Sequence, residues 1–95
     1  MNKQDIFDRC REAVESVTGM TYNKMMLTRN EESVNARMLL VRYLADYGFI
    51  ESEISEYTYM KQQRINYLKN EALKRIAHNR LMRVMYDEVE NIMRK

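Results

Sequence analysis

The chain has 95 residues, of which 45% are hydrophobic, with two glycines, no proline and a net charge of +2. This composition excludes a disordered segment and allows one small core, so we predict a single all-α domain spanning residues 1–95. No apolar run approaches the roughly 18 residues of a membrane span, the charged N-terminus lacks a signal peptide, and the single cysteine cannot form an internal disulfide, so we expect a cytoplasmic protein with no membrane partner.

The first half of the chain predicts two helices and a connector. Apolar residues recur at every third or fourth position of residues 3–17, which indicates a helix, and Gly19 is suited to end it. Residues 20–28 are apolar but too short for a full helix, so we predict a connector that places a methionine or leucine under the core. Asn30 is expected to cap a long central helix that runs to about Tyr47.

Residues 51–78 predict a helix-turn-helix. We expect Ser52 to cap a short helix over residues 53–57, a turn over residues 58–60, and a second helix over residues 61–78. The apolar spacing is that of a DNA-binding motif whose second helix enters the major groove. The spacing is eleven residues from Ile54 to Ile65 and three from Ile65 to Leu68, and all three residues are expected to be buried.

A closing helix is predicted after Asn79, a residue suited to cap it. Apolar residues then recur with i, i+3 and i+4 spacing to the end of the chain. The domain is therefore expected to contain five or six helices. Spare apolar surface on the closing helix leaves both a monomer and a homodimer open.

Positive charge is concentrated on the second motif helix and the residues just after it. Residues 61–83 contain seven Lys or Arg residues and one Glu, whereas residues 1–60 have a net charge of −3. Nucleic-acid-binding proteins concentrate charge in this way because phosphate contacts release counterions. A solvated basic helix face gives the same pattern, so charge alone does not decide between the two interpretations.

The exposed face of the second motif helix carries amides, a tyrosine and cations. Gln and Asn can bond bidentately to adenine and Arg to guanine, whereas phosphate contacts only fix register. The predicted base-contacting residues are Gln62, Gln63, Arg64, Asn66 and Tyr67. The predicted backbone-contacting residues of this helix are Lys61, Lys69, Asn70 and Lys74. The competing interpretation is a set of ordinary solvent-facing polar side chains.

Two features of the motif depart from the usual pattern. Tyr59 occupies the turn position where glycine is common because the backbone tends to have positive φ. No capping residue directly precedes the second helix unless Thr58 serves. The first motif helix also carries acids that would repel DNA, so we expect its acidic face to point away. These acids are Glu51, Glu53 and Glu56.

Several stretches resemble the C-terminal DNA-binding domain of the bacterial replication initiator DnaA, which belongs to the Trp-repressor-like helix-turn-helix group. The family's opening helix, basic loop and long helix are similar to VESVTGMTYNKMMLTRNEESVNARMLLVRYLADYG. The start of its motif helix is similar to ESEIS. Its recognition and closing helices are similar to RINYLKNEALKRI and NRLMRVMYDEVENIMRK.

This resemblance implies a sequence-specific double-stranded DNA-binding protein that regulates replication or transcription. It also implies that Arg29 and Arg37 contact the DNA backbone or the minor groove; an ion pair with a nearby acid is the alternative for Arg37. The family's G-R-D-H-T-T sequence is replaced by YMKQQR at residues 59–64. We therefore expect a different target sequence.

No catalytic constellation is present, so we expect a protein that is not an enzyme. The phosphate-binding motif of an ATPase is missing, and His78 has no partners at metal-ligand spacing, so neither a cofactor nor a metal is expected. Cys10 lies on an apolar helix face without a base to activate it. The alternative to DNA binding is a protein–protein interaction module on the same scaffold, acting on a replication or transcription protein.

Overall fold

The computed structural model describes residues 1–95 and contains six α-helices and no β-strand. The helices are α1 (Lys3–Thr18), α2 (Tyr22–Leu27), α3 (Glu31–Tyr47), α4 (Glu51–Thr58), α5 (Gln62–His78) and α6 (Arg80–Arg94). The all-α prediction is confirmed, with six helices where five or six were expected. None of the helices combines the length and hydrophobicity needed to cross a membrane.

Most helices begin and end at the residues whose local chemistry predicted it. The side chains of Asn30 and Asn79 accept the backbone N–H three residues further on, at 2.8 and 3.0 Å. Gly19 and Gly48 follow α1 and α3 in the left-handed conformation, with φ of 70° and 115°. A side chain at either position would strain the backbone, so these two caps depend on glycine.

α3 is the central helix, as predicted, and it packs against each of the other five. Residues 38–41 are all fully buried, so this part of α3 is enclosed around its whole circumference. Burying a side chain such as Leu40 stabilises the fold by roughly 1.5–3 kcal/mol. Both α4 and α5 rest on this helix, so the core fixes where they lie.

The predicted connector contains a short helix, α2, and contributes one residue to the core. Met25 is fully buried, whereas Leu27 is 82% exposed. The Arg37 guanidinium holds the end of α2, because its Nη1 donates hydrogen bonds to the carbonyls of Met25 and Thr28. The segment is therefore attached to α3 by an apolar and a polar contact at once.

The start of α4 differs from the prediction. The helix begins at Glu51 with Ile50 at the cap position, so Ser52 lies inside the first turn and does not cap it. The Glu53 carboxylate accepts the backbone N–H of Ile50 at 3.0 Å. Glu53 thus satisfies the Ile50 N–H, which would otherwise bond to water. The helix therefore begins two residues earlier than predicted.

Two polar contacts attach α5 to α3. Arg42 Nη1 donates to the backbone carbonyl of Lys69 at 3.3 Å. Arg75 Nη1 donates to Asn35 Oδ1 at 2.7 Å. Together with the buried stripe of α5, these contacts fix both the position and the rotation of the helix, and therefore which of its side chains face solvent.

Candidate nucleic-acid interface

α4 and α5 meet through the predicted apolar stripe. Ile54, Ile65 and Leu68 are all fully buried, and Ala72 extends the stripe by one turn. The eleven-plus-three spacing therefore does place its three residues in the core. The sequence prediction for the buried side of α5 is confirmed, and the opposite side is left for solvent or a partner.

A three-residue turn, residues 59–61, joins the two helices. Tyr59 has a φ of 64° and is the chain's only residue other than glycine with positive φ. Its side chain is 91% exposed, so no packing offsets the backbone strain. The residue that departs from the usual glycine thus adopts the conformation that glycine would provide.

Side chains of α4 brace the turn. Ser55 Oγ donates to the carbonyl of Met60 at 2.6 Å, and Thr58 Oγ1 accepts the N–H of Met60 at 3.2 Å. Thr58 therefore caps the turn and not α5, whose cap position is held by Lys61 with no side-chain hydrogen bond. The first N–H groups of α5 remain without a side-chain acceptor.

All five predicted base-contacting residues are exposed, as are three of the four predicted backbone-contacting residues of α5. The exposed residues are Gln62, Gln63, Arg64, Asn66, Tyr67, Lys61, Asn70 and Lys74. Lys61 and Lys74 form no ion pair within the chain, so their full charge faces solvent. Together these side chains form the polar face of α5.

Glu51 lies against this face, contrary to the expectation that the acids of α4 point away. Its carboxylate is 2.8 Å from Lys69 Nζ and accepts a hydrogen bond of 2.8 Å from the Asn66 amide. The Asn70 amide donates in turn to Asn66 at 3.4 Å. Hydrogen bonds from Lys69 and Asn66 hold the pKa of Glu51 below its usual value. Lys69 is thereby partly neutralised before any ligand binds.

Three arginines converge on a cleft of about 580 Å³ beside the N-terminal end of α5. Arg29 comes from the loop before α3, Arg37 from the second turn of α3, and Arg64 from the first turn of α5. We call this feature the arginine cleft. Apolar side chains from α2, α3 and the turn complete its walls, and no carboxylate lines it.

The two arginines predicted from the resemblance differ in accessibility. Arg29 is exposed, whereas Arg37 is only 5% exposed and its Nη1 is occupied by backbone carbonyls. Burial lowers the pKa of Arg37, and the like charges of Arg64 and Arg29 lower it further. Arg37 is therefore first a structural residue, and only part of its guanidinium is free for a ligand. It forms no ion pair with an acid, which was the alternative prediction.

Two features of this surface could not be predicted from the sequence. The pairing of Glu51 with Lys69 spans eighteen positions and two helices, so no spacing rule within one helix could reveal it. The convergence of Arg64 with Arg29 depends on how α2 and α3 pack beside the turn. A basic residue on each segment was visible in the sequence, but their proximity was not.

The residues considered for chemistry lie away from this surface. Cys10 is fully buried in the core, and burial raises the pKa of its thiol to about 12. Its nucleophilic thiolate form is therefore suppressed. His78 is the exposed last residue of α5, and no group of three or more His, Cys, Asp or Glu side chains is clustered to hold a metal.

Comparison with known proteins does not assign the chain to a family. No family model, curated protein or solved structure matches it. The functional inference therefore rests on the polar face of α5, the arginine cleft and the turn between α4 and α5.

Proposed function

We propose that the chain is a sequence-specific double-stranded DNA-binding protein that regulates replication or transcription. In this proposal α4 and α5 form a helix-turn-helix of the type found in Trp-repressor-like proteins and the C-terminal domain of DnaA. α5 would enter the major groove. The observation that carries the proposal is the polar face of α5, whose residues from Lys61 to Lys74 are exposed opposite a fully buried stripe.

The N-terminal half of α5 is proposed to contact bases. Gln63 and Tyr67 lie one turn apart on the outermost part of the helix, so both can reach the same groove. A glutamine amide matches the donor and acceptor pattern of adenine in the major groove. The Arg64 Cζ atom lies 5.9 Å from the centre of the Tyr67 ring, and the side chain also lines the arginine cleft, so it stands between the proposed base contacts and the proposed backbone contacts.

Backbone contacts are proposed for the cations with no acidic partner. Lys61 and Lys74 lie at opposite ends of the polar face, and Arg29 lies beside the start of α5 on the cleft. Lys69 would have to leave Glu51 before it could bind a phosphate, so it is the weakest of the proposed contacts. This arrangement places positive charge on both sides of the proposed base-contacting residues.

Duplex binding as a function of salt tests the proposal. With about three to five phosphate contacts, a plot of log K against log salt concentration should fall with a slope of roughly −3 to −4.5. Gln63→Ala should weaken binding to the preferred sequence by about 1–3 kcal/mol and reduce the preference for it. Lys74→Ala should weaken all sequences alike and reduce the slope by about one. Absence of binding to any duplex at low salt would refute the proposal.

A second candidate is a protein-interaction module on the same scaffold. The observation that favours it is the exposure of large apolar side chains around the turn and connector, with Tyr59 91% and Leu27 82% exposed. Tyrosine is enriched in the anchors of protein interfaces, so Tyr59 is the stronger candidate of the two. A purified replication or transcription protein that binds the chain, with binding lost in Tyr59→Ser and no duplex bound, would favour this function.

A further inference from the structure

The arginine cleft contains three positive charges and no acid. Four arginines elsewhere in the chain, Arg11, Arg42, Arg75 and Arg94, form ion pairs with carboxylates. The three cleft arginines do not; Arg9, Arg80 and Arg83 also lack an ion pair, but they do not line the cleft. Surface arginines can remain solvated at little cost, but three of them around one recess repel each other. An anion in the recess would remove that repulsion.

Arg37 is the buried member of the three. The residue is only 5% exposed, and the hydrogen-bond partners of its guanidinium are the carbonyls of Met25 and Thr28. Both carbonyls bond to Nη1, so Nε and Nη2 have no acceptor within the protein. No side-chain nitrogen or oxygen that is fully shielded from solvent lacks a hydrogen-bond partner. These two donors therefore retain some solvent exposure, and Arg37 lines the cleft.

We propose that the arginine cleft is a binding site for a phosphate group, with Arg37, Arg29 and Arg64 as its donors. Guanidinium groups match phosphate oxygens with paired N–H donors, and three of them favour a dianion over a monoanion. A phosphomonoester is mainly dianionic at neutral pH, whereas a backbone phosphodiester carries one charge. We therefore assign the site to a phosphomonoester.

The dimensions of the cleft are consistent with a small organic phosphate. Its volume of about 580 Å³ is within the range of pockets that bind small molecules. Met26, Val34 and Met60 give it an apolar wall that could contact the organic part of such a ligand. This site does not depend on the proposed DNA function, because it would bind a free anion in the absence of a duplex.

The test is a titration of the whole chain with inorganic phosphate, followed by amide NMR. The pH should be about 7.5, where inorganic phosphate is mainly the dianion, with chloride at equal ionic strength as the reference salt. We expect saturable shifts at residues 28–30 and 64 with phosphate and only weak, linear shifts with chloride. Arg29→Ala and Arg64→Ala should each weaken phosphate binding about tenfold, because losing one hydrogen bond to a charged group lowers an affinity by about that factor.

Matched variants separate the site from general charge effects. Arg83→Ala removes one positive charge from an exposed position of α6 outside the cleft, so it should leave phosphate binding unchanged. Arg29→Lys and Arg64→Lys keep the charge but lose the paired donors, and they should bind more weakly than the parent chain while remaining folded. Circular dichroism checks the fold of each variant.

Two results would overturn the assignment. One is a phosphate response that is linear or no larger than that of chloride; the other is equal weakening by Arg83→Ala and Arg64→Ala. Duplex binding is measured in parallel. A chain that binds duplex through Arg29 and Arg64 but does not respond to inorganic phosphate would assign these arginines to backbone contacts and exclude the phosphomonoester. A chain that binds phosphate but no duplex would refute the proposed function alone.

Discussion

Replacing Glu51 with glutamine should strengthen duplex binding. The carboxylate lies 2.8 Å from both the Lys69 ammonium and the Asn66 amide, so it neutralises one cation and occupies one donor on the polar face of α5. Glutamine has nearly the same shape and can still accept a hydrogen bond, but it has no charge. The change therefore frees Lys69 and removes a negative charge from beside the proposed DNA.

The size of the effect follows from the ion pair. One additional phosphate contact should steepen the slope of log K against log salt concentration by about 0.9, so the gain should be about threefold larger after a fourfold dilution of salt. The side chains of Lys69 and Glu51 are 28% and 26% exposed. Loss of such a partly solvated pair costs at most about 1 kcal/mol of stability, so the variant should remain folded.

Fluorescence anisotropy of a labelled duplex across a series of salt concentrations measures both the gain in affinity and the change in slope. The control is Glu88→Gln, which changes the net charge equally at an exposed position on α6. Equal gains in the two variants would mean that only net charge matters. An unchanged slope in Glu51→Gln, or weaker binding, would refute the inference that Glu51 competes with DNA for Lys69.

Three further predictions concern stability, measured by urea unfolding. The hydrogen bond from Lys69 lowers the pKa of Glu51 in the folded chain. The Glu51–Lys69 pair should therefore stabilise the fold fully above the unfolded-state pKa of about 4.3. That contribution should be lost as pH falls through the lower folded-state pKa, and Glu51→Gln should not show this loss. Tyr59→Gly should raise the free energy of unfolding by about 1 kcal/mol, because it relieves a positive φ and loses no packing; a decrease would show that Tyr59 makes a stabilising contact. Arg37→Ala should lower it by about 2–4 kcal/mol, since two backbone carbonyls at the end of α2 lose their donor; a change within about 0.5 kcal/mol, as expected of a surface site, would contradict that role.

Features set by neighbouring residues could be predicted from the sequence. Asn30 and Asn79 cap the helices that follow them, and Gly48 ends α3, because the hydrogen bonds involved connect residues a few positions apart. The buried stripe of α5 follows from helical geometry, so Ile65 and Leu68 lie where their spacing indicates. The exposure of the polar face follows from the same geometry.

Features that depend on a choice between competing local partners, or on contacts between distant segments, could not be predicted from the sequence. Ser52 is a reasonable cap by residue type, but the side chain of Glu53 bonds to the backbone N–H of Ile50 and moves the start of α4. The family resemblance implies that Arg37 contacts DNA, yet its guanidinium is buried and bonds to two backbone carbonyls at the end of α2. These outcomes depend on which of several competing partners is nearest in three dimensions.

Selection of bound duplexes from a random-sequence pool tests the central claim most directly, because it reports binding and sequence preference together. The proposed function predicts an enriched motif, and Gln63→Ala should lose preference at one or two of its positions. A pool recovered without enrichment, at any salt concentration that permits binding, would contradict sequence-specific recognition by α5.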